Sequence, residues 1–495
     1  MTFSRRFAAC LWAALLLGMA ACSQTPVSAP RSGSGEGSPQ FTRLINDANA
    51  AIDEGALAAA GATLDEARAL GPENPDLWLA IARLRLRGGE HLTALEAADR
   101  ALAFGPDYAP ALRLRGLMVR DAHGAPDALG WFDAAHVADP EDADILAEYA
   151  ATLGDSGDAA AMLEGVRKLA ERAPNDPRAL YFQAVLAARG QEFVLARSLL
   201  ERSRITERGI PAAMLLDAAI SLSQGNGESA AATLETLTAR QPANPRLREL
   251  LACALMMGGQ FQSVVTRFGP EADLPETSPY LLMLVARAHE RLGNRAAAAP
   301  LLARAYRPVR DEAAVLALRD GLPQPTSNVR RALWNGDRDG AAAQARTLRL
   351  RFPASADVAA LAGDALLGAG DPRAALTDYA LASEARRPWP TARKAVWTFA
   401  RHGNRAAAGV LLMRQVKGEP RTASAIIALA RWKANRGEWE RAARLLDHAI
   451  GLGAGHDPAV LGLRLRAALA MGDRQAAEKM AALLAEIRPR KFAAR

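Results

Sequence analysis

The side chains best able to do chemistry are scattered in this sequence. The seven histidines stand at 91, 123, 136, 289, 402, 448 and 456, and no two have the i, i+4 spacing that puts a pair of metal ligands on one helix face. His448 and His456 are the nearest pair, but Gly451, Gly453 and Gly455 lie between them and break any shared helix. No phosphate-cradling glycine loop, nucleophile elbow or paired-cysteine zinc motif occurs. Glu96 and Asp99 fall on helix faces expected to be solvated. Cys253 has Glu249, Leu250, Met256 and Met257 within a helical turn, so no basic neighbour lowers its thiol pKa. It reads as a small buried apolar residue. The expectation is a protein that is not an enzyme and has no cofactor and no metal.

One cluster suits binding rather than catalysis. Arg386, Arg387, Arg393, Lys394, Arg401 and Arg405 interleave with Trp389, Trp397 and Phe399. Cations beside aromatic rings suit anionic or glycan ligands. The alternative is a solvated basic face beside a core tryptophan.

The elements that position these residues are set by a proline ruler. Pro72, Pro106, Pro140 and Pro174 recur every 34 residues, and Pro242 lies two further intervals on. Proline cannot continue a helix, so a proline at fixed phase marks one recurring boundary. With that proline at phase 32, the first repeat runs 41–74 and others start at 75, 109, 143, 177, 211, 245 and 279. Glycine stands at or beside phase 15 in each, from Gly55 and Gly89 to Gly293, where it can end a helix in the left-handed conformation. Phase 20 is alanine in most repeats and phase 24 is bulky in Leu64, Phe132, Leu200, Leu234 and Leu302. No segment alternates with period two, so no strands are expected.

Trp78, Gly89, Ala94, Ala101 and Pro106, with their counterparts, make this pattern resemble the tetratricopeptide repeat (TPR). The resemblance implies an all-α superhelical solenoid of about thirteen helix-turn-helix repeats. Eight 34-residue repeats fill 41–312, a spacer spans 313–321, and about five looser repeats fill 322–491. Departures are Met162 in place of the phase-20 alanine, and Arg208 and Arg310 in place of proline. The family also implies that phases 2, 5, 9 and 12 of each first helix line a partner-binding groove. Carried onto this chain, those phases give Arg83, Arg113 and Arg120, then Leu215, Leu222 and Met256, then Lys394 and Arg401. Tight packing within the superhelix is the alternative for the apolar set. The carboxylate clamp of chaperone-binding relatives is rejected, because Thr398 stands where asparagine is required.

Residues 1–21 read as a secretory signal: Arg5 and Arg6, then the apolar run Leu11–Leu17, then Ala20 and Ala21. Gly18-Met19-Ala20-Ala21-Cys22 resembles a bacterial lipobox. That resemblance implies cleavage before Cys22, lipidation of Cys22 and stable anchoring by several acyl chains. An ordinary secretory signal containing a cysteine is the alternative. Ser23 resembles the outer-membrane sorting type. Residues 22–40 then form a Ser-, Gly- and Pro-rich lipidated tether.

The formal charge of +7 falls to +5 once Arg5 and Arg6 are removed. An exported basic protein would meet acidic glycans, lipid headgroups or acidic proteins, and not nucleic acid. The expectation is therefore a lipid-anchored scaffold on the periplasmic face of a Gram-negative outer membrane. It would mediate protein–protein interactions for an envelope assembly or export machine, with exopolysaccharide export the preferred system. A glycan- or peptidoglycan-binding module, and a factor for pilus or outer-membrane protein biogenesis, are the alternatives.

Overall fold

A computed structural model describes residues 38–242, 244–274, 277–306 and 323–487. The expected signal, Cys22, the tether up to residue 37 and the spacer 313–321 lie outside the described residues. All regular structure among the described residues is helical. The helices come in thirteen pairs. The first eight are Pro39–Glu54 with Leu57–Leu70 (α1, α2), Pro75–Arg87 with His91–Phe104 (α3, α4), Ala109–His123 with Ala125–Ala138 (α5, α6), Ala143–Ser156 with Ala159–Arg172 (α7, α8), Pro177–Arg189 with Phe193–Ser203 (α9, α10), Pro211–Ser223 with Gly227–Arg240 (α11, α12), Pro245–Met257 with Phe261–Ala272 (α13, α14), and Pro279–Arg291 with Arg295–Ala305 (α15, α16). The last five are Gln324–Trp334 with Arg338–Arg351 (α17, α18), Ala356–Ala369 with Pro372–Ala385 (α19, α20), Trp389–Arg401 with Arg405–Gly418 (α21, α22), Ala423–Ala434 with Trp439–Gly451 (α23, α24), and Pro458–Met471 with Arg474–Ile487 (α25, α26). The all-α repeat solenoid read from the sequence is what forms. The first helix begins at Pro39, capped by Ser38, two residues before the phase rule places it.

A two-residue device makes each hinge inside a pair. Glycine at phase 15 takes positive φ and ends the first helix; the next residue is often Asp or Asn and caps the second. Gly157 (φ 102°) is followed by Asp158, whose Oδ1 accepts from Ala161 N at 2.9 Å. The same step recurs at Gly225-Asn226, Gly293-Asn294, Gly336-Asp337, Gly370-Asp371, Gly403-Asn404 and Gly472-Asp473. One repeat departs from the rule. Gly190 has ordinary φ, and Gln191 carries the left-handed turn at φ 67°.

Packing inside a pair explains the remaining phases. The phase-20 alanines 60, 94, 128, 196, 230 and 298 are fully buried, and Met162 is buried in their place. Glycine replaces the usual alanine at phase 8 in two repeats with a ring at phase 24. A Cβ on Gly116 would lie 3.1 Å from the Phe132 ring, and one on Gly363 would lie 2.7 Å from that of Tyr379. In the third and tenth pairs, small and large residues are therefore traded between facing helices.

The described helices group into two compact units that do not follow chain order. One holds α1–α8 and α17–α22; the other holds α9–α16 and α23–α26. In the first unit, α20 packs on α4 and α5, and α22 packs on α6. Leu92 N donates to Ala354 O at 3.0 Å, and Arg387 N donates to Asp121 O at 3.1 Å. Gly124 and Gly418 meet backbone to backbone, so a Cβ on Gly124 would overlap the Gly418 carbonyl. In the second unit, α25 returns to pack on α15.

Candidate functional site

Inner positions of the first helices in the unit of α1–α8 and α17–α22 carry a ladder of ion pairs. Arg83 Nη1 donates to Asn49 Oδ1 at 2.6 Å, and its Nη2 donates to Asp53 at 3.0 Å. Arg113 lies 3.9 Å from Asp144. Arg120 Nη1 donates to Glu148 at 2.8 Å and to Thr152 Oγ1 at 3.2 Å. Lys394 Nζ donates to Asp364 at 2.5 Å, and Tyr379 Oη donates to the other oxygen of that carboxylate at 2.6 Å. Each rung joins neighbouring first helices, about one repeat apart in sequence. Counting arginines along the chain overstates the basic character of this stretch, because the cations come with matched acids.

The electrostatics differ from rung to rung. Arg120 is almost enclosed. Burial opposes its charge, but Glu148 and Asp155 outweigh that and raise its pKa. At Arg83, burial dominates and lowers the pKa, and Arg113 adds to the effect against the opposing pull of Asp53. Burial also raises the Asp364 carboxyl against the opposing pull of Lys394. The buried pairs Arg120–Glu148 and Lys394–Asp364 fix the register of packed elements and contribute little net stability, whereas Asp53 beside Arg83 is half-exposed.

The remaining sequence-predicted residues fall into two groups. Arg401 is exposed, with its guanidinium 5.2 Å from the Trp397 ring centroid, and Arg405 is also exposed. Arg387 is instead buried: its Nη2 donates to His123 O at 3.4 Å, and Arg414 Nη2 lies 3.0 Å from His123 Nδ1. Leu215 and Leu222 are core residues, and Met256 packs half-buried against the same cluster. Cys253 is buried with them, and burial pushes its thiol pKa up despite the neighbouring Tyr280 hydroxyl.

Sequence reasoning missed the residues that face this apolar stretch. His456 packs against Tyr280 with ring centroids 4.2 Å apart and the rings tilted, and its Nδ1 lies 2.7 Å from Gly453 O. Asp457 caps α25, its Oδ1 accepting from Ala459 N at 2.8 Å. Burial lowers the His456 pKa to about 3, with Arg246 adding to the effect. Burial raises Asp457 to about 6, against hydrogen bonding from Ala459 and with Glu249 adding to the rise. Arg246 and Tyr280 stand at phase 2 and Glu249 at phase 5 of their repeats, but the sequence reading did not single them out, and nothing in the local sequence says that residue 456 meets them. His448 takes a different partner, Pro420 O at 2.9 Å.

Among the described residues no three His, Cys, Asp or Glu side chains gather as a metal site, and no helix is long and apolar enough to cross a membrane. A recess of about 130 Å³ lies beside Asp357, Arg386 and Thr391, smaller than the roughly 300–1,000 Å³ of ordinary ligand sites.

The tetratricopeptide repeat profile matches residues 46–109 and 146–209. The helix-pair grammar of the matched repeats continues through thirteen pairs, so the fold is a tetratricopeptide-repeat solenoid. No curated protein matches the sequence. Solved structures that resemble it include PilF of Pseudomonas aeruginosa, at 18% identity, TM-score 0.36, and coverage of 45% of this chain and 97% of that one. PilW, described as a type IV pilus biogenesis factor, has 19% identity, TM-score 0.32 and coverage of 46% and 91%. Yeast Tom70 has 15% identity, TM-score 0.31 and coverage of 88% and 96%. TM-scores this low carry no argument about what this chain does.

Proposed function

We propose that the chain is a non-enzymatic scaffold, anchored by lipid at Cys22 to the periplasmic face of a Gram-negative outer membrane. It recruits proteins of an envelope assembly or export machine, with exopolysaccharide export the preferred system. The observation that carries the scaffold reading is the run of thirteen helix pairs built on one repeating grammar. Repeat arrays of this construction hold extended or helical segments of other proteins. The anchor rests on the lipobox resemblance at 18–22.

Crosslinking in cells tests the scaffold reading. It predicts co-purification of a membrane protein with the wild-type chain, weakened by Arg401→Glu with Arg405→Glu. Equal capture by a scrambled control would sink it. For the anchor, Cys22→Ser is expected to move the chain from the membrane to the soluble fraction; retention on the membrane contradicts the lipid.

A glycan-binding reading is favoured by one feature, the exposed Arg401 lying over Trp397. It predicts binding of a purified anionic polysaccharide that weakens as salt rises. Absence of binding at low salt removes it.

A further inference from the structure

The apolar inner face of the middle repeats is already covered, and what covers it comes from the same chain. Arg246 and Tyr280 hold phase 2 of α13 and α15, Glu249 holds phase 5 of α13, and Cys253 holds phase 9. These are the positions at which a tetratricopeptide array meets a partner. His456 packs against Tyr280 with ring centroids 4.2 Å apart and the rings tilted by 59°. The Tyr280 hydroxyl hydrogen-bonds with the Cys253 thiol. Glu249 is held from both sides, by Arg246 at 3.2 Å and by the Ser278 hydroxyl.

The covering segment is built unlike the repeats on either side. A short 3₁₀ turn, Ala454–His456, is inserted between α24 and α25. Gly451, Gly453 and Gly455 punctuate it, and Gly453 sits at φ 97°. The insertion lengthens the ordinary link between repeats and turns one imidazole inward. A segment that merely joined two helices would have no need of a buried aromatic–imidazole contact. Glycines at alternate positions give the turn freedom to leave without unwinding either helix.

We propose that the turn Ala454–Asp457 is a displaceable internal plug of the middle groove: it holds the position at Tyr280 that a partner's extended segment would take, and it must leave before one binds. This rests on the scaffold reading and regulates the same groove. Partner binding is then a competition between an internal and an external segment. The internal one has the advantage of tethering.

Cys253 supplies the assay. In the full chain with Cys10→Ser and Cys22→Ser it is the only thiol, since the sequence has three cysteines. Iodoacetamide alkylation is followed at low urea concentrations beside circular dichroism. Opening of the plug exposes Cys253 without global unfolding, so the rate should be nearly independent of urea. His456→Gly should raise that rate by about tenfold or more, and His456→Phe, which keeps a ring on Tyr280, should restore it. Alkylation that tracks global unfolding with the same urea dependence in all three chains overturns the plug. So does a rate in His456→Gly equal to wild type. No partner enters the assay, so failure of partner capture in cells and failure of the plug are separate results.

Discussion

The two compact units use one helix-pair grammar and fill their inner faces differently. In the unit of α1–α8 and α17–α22, Arg83, Arg120 and Lys394 reach across to acids one repeat away. In the unit of α9–α16 and α23–α26, Leu215, Leu222 and Cys253 are buried, and His456 closes over Tyr280. The repeat consensus specifies the contacts between paired helices and leaves the inner face free to vary. A ladder of ion pairs fixes register at little net gain in stability. An apolar face gains stability from burial, but needs a cover to stay out of water. Surface chemistry in such an array therefore cannot be read from one repeat alone.

The largest effect is expected where the first unit closes. Gly124→Ala places a methyl group on the Gly418 carbonyl at a backbone with φ 102°. Left-handed strain and overpacking together should cost about 3 kcal/mol or more. Urea denaturation should show it, with hydrogen exchange confined to this unit. An unchanged midpoint would mean that the close contact does not form.

The ladder itself is tested next. Glu148→Leu leaves Arg120 buried without its partner and should cost about 3 kcal/mol. Adding Arg120→Leu should recover most of that loss, because two apolar side chains can replace a buried pair. Failure of the double variant to recover would mean that the rungs stabilise rather than merely register. The matching change in the other unit, Leu222→Ala, should cost about 2–5 kcal/mol with no rescue by a charged neighbour.

Acid separates the units in a third way. His456 is held neutral, so its contribution to docking is present above pH 6.5 and is lost as pH falls toward its folded value of about 3. Asp457 has the opposite sign: its folded value of about 6 makes its contribution fullest in acid and lost as pH rises through 6. Between pH 6.5 and 4 the two oppose each other. Arg246 and Glu249 from α13, Tyr280 from α15 and Arg431 from α23 surround the pair. Asp457→Asn should keep the helix cap and remove the compensation. The variant's second unit should then lose about 1 kcal/mol more than wild type between pH 6.5 and 5. Parallel urea midpoints at the two pH values would refute the opposition.

The smallest effect concerns the hinge rule shared by both units. Gln191 carries φ 67° where the other hinges use glycine, so Gln191→Gly should stabilise by about 1 kcal/mol. A lower midpoint would mean that its side chain makes a compensating contact.

Much of this fold was legible because its determinants are local. Gly157-Asp158 sets a hinge within two residues, and Ala94 and Phe132 face positions less than one repeat away. The phase rule singled out Arg83, Arg120 and Lys394 for partner binding, and each is found in an ion pair with the neighbouring first helix. Their pairing was less visible, since Asp53, Glu148 and Asp364 had not been placed opposite them. What no periodicity can express is closure over long separations. Arg387 beneath His123, Gly418 on Gly124 and His456 on Tyr280 join residues many repeats apart. In sequence, Arg387 was one member of a basic cluster and His456 was the start of a last repeat. Burial, which decides the role of each, comes from elements that local pattern does not connect.

Closure of distant repeats onto one another is the central claim, and zero-length crosslinking tests it most directly. Lys417 Nζ lies 3.5 Å from Asp127 Oδ1, across a separation of 290 residues. Lys394 and Asp364, 30 residues apart, serve as the internal control. Carbodiimide treatment of the monomeric full chain followed by mass spectrometry should recover both pairs. Recovery of Lys394–Asp364 without Lys417–Asp127, at any reagent concentration that leaves the chain folded, would contradict the account.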